Sequence, residues 1–162
     1  DELAGQDSFI ARVGELIDQC AGALAARCEQ AEMQLVIQRD GDADQPITTD
    51  PATVERVLFN LVDNACKYAS SADDKRVHLE VRVSSREVEM LVRDHGPGIE
   101  RAERGRIFRP FVRGQKQADG SISGLGLGLA LAKGLATQLG GGLELAAADS
   151  GAAFSLSLPL GT

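Results

Sequence analysis

Three polar residues on one stretch of the chain are the first candidates for chemistry. Asn60, Asn64 and Lys67 recur at spacings of four and three residues, in a segment whose apolar residues have helical periodicity. At about 100° per residue, their side chains fall within an arc of roughly 60° that borders the apolar stripe. An amide oxygen can bind a hard cation such as Mg²⁺, and an ammonium group can bind phosphate oxygens. The stretch could therefore hold a phosphorylated ligand, although the solvated shoulder of an amphipathic helix would show the same pattern.

A second candidate is the loop 94–99, with the sequence DHGPGI. It directly follows an alternating strand pattern, so Asp94 stands at the end of a strand. Glycines at positions 96 and 98 let the backbone approach a flat ligand closely, and the carboxylate can accept a hydrogen bond from an exocyclic amine. Taken alone, Asp-x-Gly is more typical of an ordinary turn.

Two further motifs follow in order. Phe108 and Phe111 flank a proline, and such a pair can anchor the base of a loop in the core. The polar stretch 115–123 is rich in Gly, Ser and Gln, which suits a mobile flap. The run GLGLGL at 124–129 then opens a helix predicted over 127–139, and the free amides at a helix start favour phosphate. A lone glycine repeat could equally serve packing, but its place after the other motifs favours a phosphate cradle.

Periodicity outlines the elements that must position these residues. Asp50 and Pro51 predict the start of the helix that carries Asn60, which runs to about Ala69. Alternating apolar residues over 77–83 and 88–92 predict an antiparallel hairpin, in which His78 falls on the polar side and is expected to be solvated, without a chemical role. Further predictions are a helix over 15–31, a strand over 33–37, an acidic loop over 40–46 and final strands over 143–145 and 154–158. The segment 8–13 is compatible with a strand or with the start of the first helix.

The composition is that of an ordinary soluble domain. The 162 residues are 43% hydrophobic and 25% charged, which suits one domain, 1–162, with its own core. A net charge of -7 argues against sequence-independent binding of nucleic acid. The sequence has neither a bilayer-spanning apolar run nor a signal-peptide pattern. Because it begins at Asp1 and not at Met, we expect an excised part of a longer protein.

The three cysteines show no metal-binding spacing. Cys20, Cys28 and Cys66 are odd in number, fall in predicted helices and form no CxxC motif. We therefore expect buried thiols in a reducing compartment and not a disulfide or a metal site.

Taken together, the ordered motifs resemble the ATP-binding catalytic domain of sensor histidine kinases, within the group that includes gyrase B subunits, heat-shock chaperone ATPases and mismatch-repair ATPases. The segment 60–68 resembles the asparagine box, 94–99 the first glycine box, 108–111 the phenylalanine box and 124–129 the second glycine box. The resemblance covers nearly the whole chain. It implies a Bergerat-type ATP-binding fold, which is a two-layer α/β sandwich with about three helices on one face of a mixed, mostly antiparallel sheet.

The resemblance also implies roles around the phosphates of ATP. Asn64 would coordinate Mg²⁺, and Asn60 would lie beside the phosphates. Lys67 would contact phosphate, and Arg113, the basic residue after the phenylalanine box, would reach the terminal phosphate. Asn60, Lys67 and Arg113 are thus the implied catalytic residues.

On the adenine side, Asp94 would accept a hydrogen bond from the adenine amino group, and Tyr68 would border the nucleotide. The other implied nucleotide-binding residues are Gly96, Gly98, Ile99, Phe108, Gly124, Leu125, Gly126, Leu127 and Gly128.

Asn60 bears on what happens to the ATP. In the hydrolysing relatives of this group, its position resembles a glutamate that activates water, whereas an amide cannot take up a proton at neutral pH. The resemblance therefore implies transfer of phosphate to a histidine on a separate dimerisation domain of the same protein.

The resemblance further implies the setting of the chain. The parent would be a homodimeric inner-membrane sensor that passes phosphate to a cognate response regulator, and this chain would be its cytoplasmic domain without direct membrane contact. Two alternatives remain, namely a serine kinase of the anti-sigma-factor type and a degenerate module that uses nucleotide only as a regulatory ligand. The amide at Asn60 counts against the first, and the intact asparagine and glycine boxes count against the second.

Overall fold

The computed structural model describes residues 9–109, 128–148 and 150–160. Its helices are α1 (Val13–Gln30), α2 (Pro51–Tyr68) and α3 (Gly128–Gln138), with a short 3₁₀ helix at Arg101–Glu103. Its strands are β1 (Phe9–Arg12), β2 (Gln34–Asp40), β3 (Pro46–Thr49), β4 (Arg76–Val83), β5 (Glu87–Arg93), β6 (Gly142–Ala146) and β7 (Ala153–Pro159).

Five of these strands form a mixed sheet in the order β2-β4-β5-β7-β6. β2 pairs with β4 in parallel, and each of the other described neighbours is antiparallel. The predicted hairpin is confirmed, because β4 pairs with β5 with Val83 opposite Val88 and His78 opposite Arg93. Since β5 lies in the middle of the sheet, the loop that begins at Asp94 leaves from between two neighbouring strands.

One face of the sheet packs against the helices. Alternate residues of the central strands, such as Leu79, Met90 and Leu156, are fully buried and join the apolar stripe of α2 in a single core. Burying one such side chain stabilises the fold by about 1.5–3 kcal/mol. The result is the α/β sandwich implied by the resemblance, with helices α1, α2 and α3 contributing to the same core.

Helix α2 begins where the sequence predicts. The Oδ1 atom of Asp50 accepts hydrogen bonds from the backbone N–H groups of Ala52 at 3.2 Å and Thr53 at 3.5 Å, and Pro51 occupies the first turn. The hydroxyl of Thr53 donates to Asp50 Oδ2 at 2.8 Å. A cap of this kind contributes about 1 kcal/mol and fixes the residue at which the helix begins.

The amino-terminal part differs from the sequence prediction. The ambiguous segment divides into a strand, β1, and a helix that begins at Val13, two residues before the predicted start at Glu15. β1 pairs antiparallel with β3 in a separate small sheet that was not predicted. β3 has four residues and buries Ile47 as its apolar anchor, so it is too short for alternation to be recognised.

The predicted burial of the cysteines is confirmed for Cys20, Cys28 and Cys66. Among the described residues, no helix combines the length and the hydropathy that a membrane crossing requires.

Candidate nucleotide-binding site

Asp94 is buried at the end of the central strand β5. It is 2% exposed, and its Oδ1 atom accepts hydrogen bonds from the backbone N–H groups of Gly96 at 2.8 Å and Ala152 at 3.2 Å. Burial raises the pKa of the Asp94 carboxyl, and the two backbone hydrogen bonds act in the opposite direction. Within the described ranges no donor bonds to Oδ2, so this oxygen is available to a donor from a ligand.

The loop after Asp94 packs directly against the end of α2. A Cβ atom built on Gly96 would lie 2.7 Å from the carbonyl oxygen of Tyr68 and 3.1 Å from the Cα atom of Ala69. Any side chain at this position would force the loop and the helix apart. The close approach therefore brings the first glycine box beside the helix that carries the asparagine box.

The turn between β6 and β7 closes the loop from the other side. The backbone N–H of Asp94 donates to the carbonyl of Ala152 at 3.0 Å. Gly151 has a φ of 72°, and a Cβ atom there would overlap the carbonyl oxygen of Asp94. Gly98 has a φ of 84°, and its Cβ atom would lie 3.0 Å from the carbonyl oxygen of Gly151.

The sequence prediction missed Gly151 and Ala152 as site residues and assigned that segment only as a turn. The glycine was the available signal, but a turn glycine does not reveal a contact with Asp94, which lies 58 residues before Ala152.

Asn60, Asn64 and Lys67 are half-buried along α2, at the border of its apolar face, as predicted. The Nζ atom of Lys67 lies 3.1 Å from Asp63 Oδ2, and Arg27 Nε of α1 donates to Asp63 Oδ1 at 2.7 Å. The hydrogen bond with Asp63 raises the pKa of Arg27, so the guanidinium stays charged. Two cations thus share one carboxylate, which leaves this edge with a local positive charge in a chain of net charge -7. The sequence prediction did not identify Arg27 or Asp63.

Phe108 is half-buried and packs edge-on against Phe154, with ring centroids 5.9 Å apart. The Nζ atom of Lys133 lies 5.2 Å from the Phe108 centroid and donates to the carbonyl of Leu143 at 2.6 Å. Phe108 therefore packs against a strand and a helix of the core, as expected for an anchoring residue.

The remaining predicted residues divide into two groups. Tyr68 is half-buried at the end of α2, Gly128 is the first residue of α3, and Ile99 lines a cavity with Leu145 and Ala152. The others lie outside the described residues, and they are Arg113, Gly124, Leu125, Gly126 and Leu127.

His78 contradicts the sequence prediction. It is 6% exposed and not solvated, and its Nε2 atom lies 2.9 Å from the Nε2 atom of His95. The alternation places His78 correctly on the face opposite Val77 and Leu79, but it cannot show that a loop residue 17 positions later covers the ring.

The chain resembles known sensor proteins in sequence. Residues 49–162 match the model of the family described as histidine kinase-, DNA gyrase B-, and HSP90-like ATPase. The sensor protein RstB of Escherichia coli is 39% identical over 112 residues, which are 68% of this chain and 25% of RstB. The chain thus spans about a quarter of the length of that relative.

Solved structures extend the similarity over most of the chain. Full-length ShkA in complex with AMPPNP has a TM-score of 0.74 and 26% identity, over 94% of this chain and 31% of ShkA. The mycobacterial sensor histidine kinase MprB has a TM-score of 0.71 and 26% identity, over 93% of this chain and 97% of that structure. The chain belongs to the histidine kinase-, DNA gyrase B-, and HSP90-like ATPase family and is an ATP-binding catalytic domain of the sensor histidine kinase type.

Proposed function

We propose that this single domain binds Mg-ATP through the residues described above and presents the γ-phosphate to a histidine on a separate dimerisation domain. The main support for the proposal is the packing of Gly96 against Tyr68. This packing places a buried hydrogen-bond acceptor for adenine beside a positively charged helix edge for the phosphates. We call the loop 94–99 with Gly151 and Ala152 the adenine side, and the edge of α2 with Asn60, Asn64 and Lys67 the phosphate side.

On the adenine side, the free Oδ2 atom of Asp94 accepts a hydrogen bond from the exocyclic amine. Guanine carries a carbonyl oxygen at the corresponding position, which would face the carboxylate without a proton between them. A buried polar group left unpaired costs about 1–3 kcal/mol, so Asp94 discriminates between the two bases.

On the phosphate side, Lys67 exchanges part of its contact with Asp63 for phosphate oxygens. Arg27 keeps Asp63 neutralised during this exchange, since it holds the other carboxylate oxygen. Asn64 fits the role of metal ligand, because Mg²⁺ takes only one or two protein oxygens where phosphates and waters complete its octahedron. When bound, Mg²⁺ neutralises charge on the phosphate oxygens.

Asn60 favours transfer over hydrolysis. Its amide can donate a hydrogen bond to a phosphate oxygen or to water, but it cannot remove a proton from water at neutral pH. The nucleophile is then a histidine ring nitrogen from outside the chain, which bonds to the γ-phosphorus while the bond from that phosphorus to the leaving oxygen of ADP breaks. Arg113 is proposed to contact the terminal phosphate during this step.

The setting of this reaction is also part of the proposal. The similarity to sensor proteins supports a homodimeric parent that supplies the acceptor histidine and passes phosphate to a response regulator. It also supports a cytoplasmic position for this domain.

The decisive experiment incubates the 162-residue chain with Mg²⁺ and γ-labelled ATP, alone and with a separately produced helical hairpin that carries the acceptor histidine. We expect ATP binding without self-labelling, and acid-labile phosphohistidine only on the hairpin. Phosphohistidine on the chain itself would refute the proposal, as would undetectable binding of Mg-ATP in calorimetry. Binding of Mg-ATP without transfer to the hairpin would favour the regulatory module instead.

A further inference from the structure

We propose that His78 and His95 position the adenine side of the site, and that a second proton on this pair weakens nucleotide binding. The inference rests on the proposed nucleotide site and adds a pH dependence to it. The sequence contains two histidines, and they contact each other. We call these two residues the histidine pair.

Strand register explains why the two rings meet. His78 of β4 pairs with Arg93 at the end of β5, and His95 lies two residues further on, at the diagonal position on the same face of the sheet. Diagonal neighbours are within reach of aromatic side chains. The ring centroids lie 5.0 Å apart at an interplanar angle of 67°, so His95 covers the otherwise open side of His78.

The separation of the two nitrogens limits the protons that the pair can hold. At 2.9 Å, one ring donates N–H to the lone pair of the other. The pair can be neutral or carry one added proton on an outer nitrogen. When both rings are charged, both Nε2 atoms carry hydrogens that point at each other, and the rings must separate.

The surroundings keep His78 neutral. Burial lowers the pKa of His78, and the nearby cations Arg93 and Arg76 act in the same direction, against a smaller opposite effect of Glu80. The Nδ1 atom of His78 is buried and has no hydrogen-bond partner. An N–H group at this atom is therefore unsatisfied, both in the charged ring and in the neutral tautomer that accepts through Nε2.

His95 faces a carboxylate. Its Nε2 atom lies 3.5 Å from Oδ2 of Asp74, a carboxylate that can balance a positive charge on this ring. The guanidinium of Arg76 holds the pKa of Asp74 well below its usual range, so Asp74 stays ionised in mild acid. The second proton, on His78, is the one that breaks the pair.

Separation of the two rings affects the nucleotide site through the position of His95. It lies between Asp94, which is fixed to the backbone of Ala152 by two hydrogen bonds, and Gly96, which touches Tyr68 without room for a Cβ atom. A displacement of His95 therefore moves either the adenine acceptor or the glycine beside α2. Both are parts of the adenine side, so the affinity for nucleotide falls.

The direction of the pH effect follows from the lowered pKa of His78. Below the ordinary value of 6.5, the unfolded chain takes up a proton that the folded chain resists. The stability contributed by the neutral ring is complete above that value and is lost as the pH falls towards the lowered pKa. Nucleotide binds to the folded chain, so its affinity decreases only as the pH falls through the lowered pKa of His78.

The test measures the affinity for AMPPNP with Mg²⁺ by calorimetry, from about pH 8 to about pH 5, for the wild-type chain and for His78→Gln. Glutamine can still hydrogen-bond to His95 but cannot take up a proton. We expect the wild type to lose about tenfold more affinity than the variant. Because Asp94 and the nucleotide titrate in both chains, the comparison removes their contributions.

A second measurement follows the two histidine rings and the amide of Gly96 by NMR, without nucleotide. In the wild type, the Gly96 amide should shift with the midpoint of the His78 ring, and in the variant this shift should disappear. Equal pH profiles for two folded chains overturn the inference. If His78→Gln does not fold at about pH 8, the wild-type Gly96 titration decides. A wild type that binds no nucleotide contradicts the proposed function, while the same titration still decides on the histidine pair.

Discussion

Backbone groups make the polar contacts on the adenine side, whereas side chains make them on the phosphate side. Asp94 accepts hydrogen bonds from two backbone N–H groups, and neighbouring glycines leave no room for a Cβ atom. Lys67 instead forms an ion pair with Asp63, and the two side chains are each 27% exposed. Groups held by packed backbone do not rearrange on binding, whereas a partly exposed lysine can change partners. In the proposed function, adenine therefore meets a preformed acceptor, while the phosphates must displace Lys67 from the carboxylate of Asp63.

Asn64→Ala should have the largest effect and should affect only the phosphate side. Losing a group that acts on the phosphoryl transition state costs about 100- to 1,000-fold in rate. Folding should change by less than about 0.5 kcal/mol, because the amide is not part of the core. Transfer from labelled ATP to the acceptor hairpin measures the rate, and adenosine binding serves as the control. Unaltered transfer would show that the metal assignment is wrong.

Gly151→Ala should damage the adenine side through the backbone. The new methyl group would overlap the Asp94 carbonyl, at a positive φ that alanine rarely adopts, so we expect a loss of about 3 kcal/mol in the free energy of unfolding. Urea denaturation measures this loss.

The matched control for this substitution is Gly134→Ala, in helix α3. This glycine has no neighbour within 4 Å of a built Cβ atom, and alanine there should stabilise the helix by about 0.8 kcal/mol. Similar changes in the two variants would contradict the close approach at Gly151.

Asp94→Asn should lower the affinity for ATP while it raises the free energy of unfolding. Asparagine retains an oxygen for the N–H groups of Gly96 and Ala152, but it can present a donor to the adenine amine, so ATP affinity should fall about 30-fold. Calorimetry with ATP and GTP checks this, and equal affinities for the two nucleotides in the wild type would contradict the role of Asp94.

The same substitution should raise the free energy of unfolding at about pH 7 by about 1 kcal/mol. The folded-state pKa of Asp94 is raised, so the stability linked to its protonated form is present at low pH and is lost as the pH rises through that pKa. The advantage of the variant should therefore shrink as the pH is lowered. If the variant is less stable than the wild type at every pH, burial of the ionised Asp94 carboxylate does not destabilise the fold.

Asp63→Asn should give the smallest effect. Removing the carboxylate that holds Lys67 should increase the affinity for Mg-AMPPNP about threefold at low salt, and less at high salt because charges at partly exposed positions are screened. Asp18→Asn is the control, since Asp18 pairs with Arg39 at 2.6 Å and, in the described part of the chain, forms no ion pair with a proposed site residue. A decrease in affinity would mean that Asp63 positions Lys67 instead of competing for it.

Local sequence patterns were sufficient to predict most of the secondary-structure elements. The cap at Asp50, the apolar stripe of α2 and the alternation of the β4–β5 hairpin each arise from residues close in sequence, and the structure confirms all three. The loop at Asp94 was also recognisable, because a carboxylate at a strand end followed by spaced glycines is a local feature.

Three contacts that sequence reasoning missed join segments that are distant in sequence. Ala152 bonds to Asp94, Arg27 bonds to Asp63, and His95 covers His78. No periodicity within one element encodes such a pairing, since it depends on strand order and on where each loop crosses the sheet. For His78 the face was predicted correctly and the burial was not, because burial depended on a residue of the next loop.

The position of β7 has a consequence for biosynthesis. This strand, formed from residues 153–159, lies between β5 and β6, and the residue just before it completes the hydrogen bonding of Asp94. A nascent chain that ends before this strand exposes one edge of β5 and has no adenine acceptor in place, and unpaired edges of this kind favour aggregation. Capture of nucleotide therefore becomes possible only when nearly the whole domain has left the ribosome, and binding then stabilises the completed fold over its partly synthesised forms.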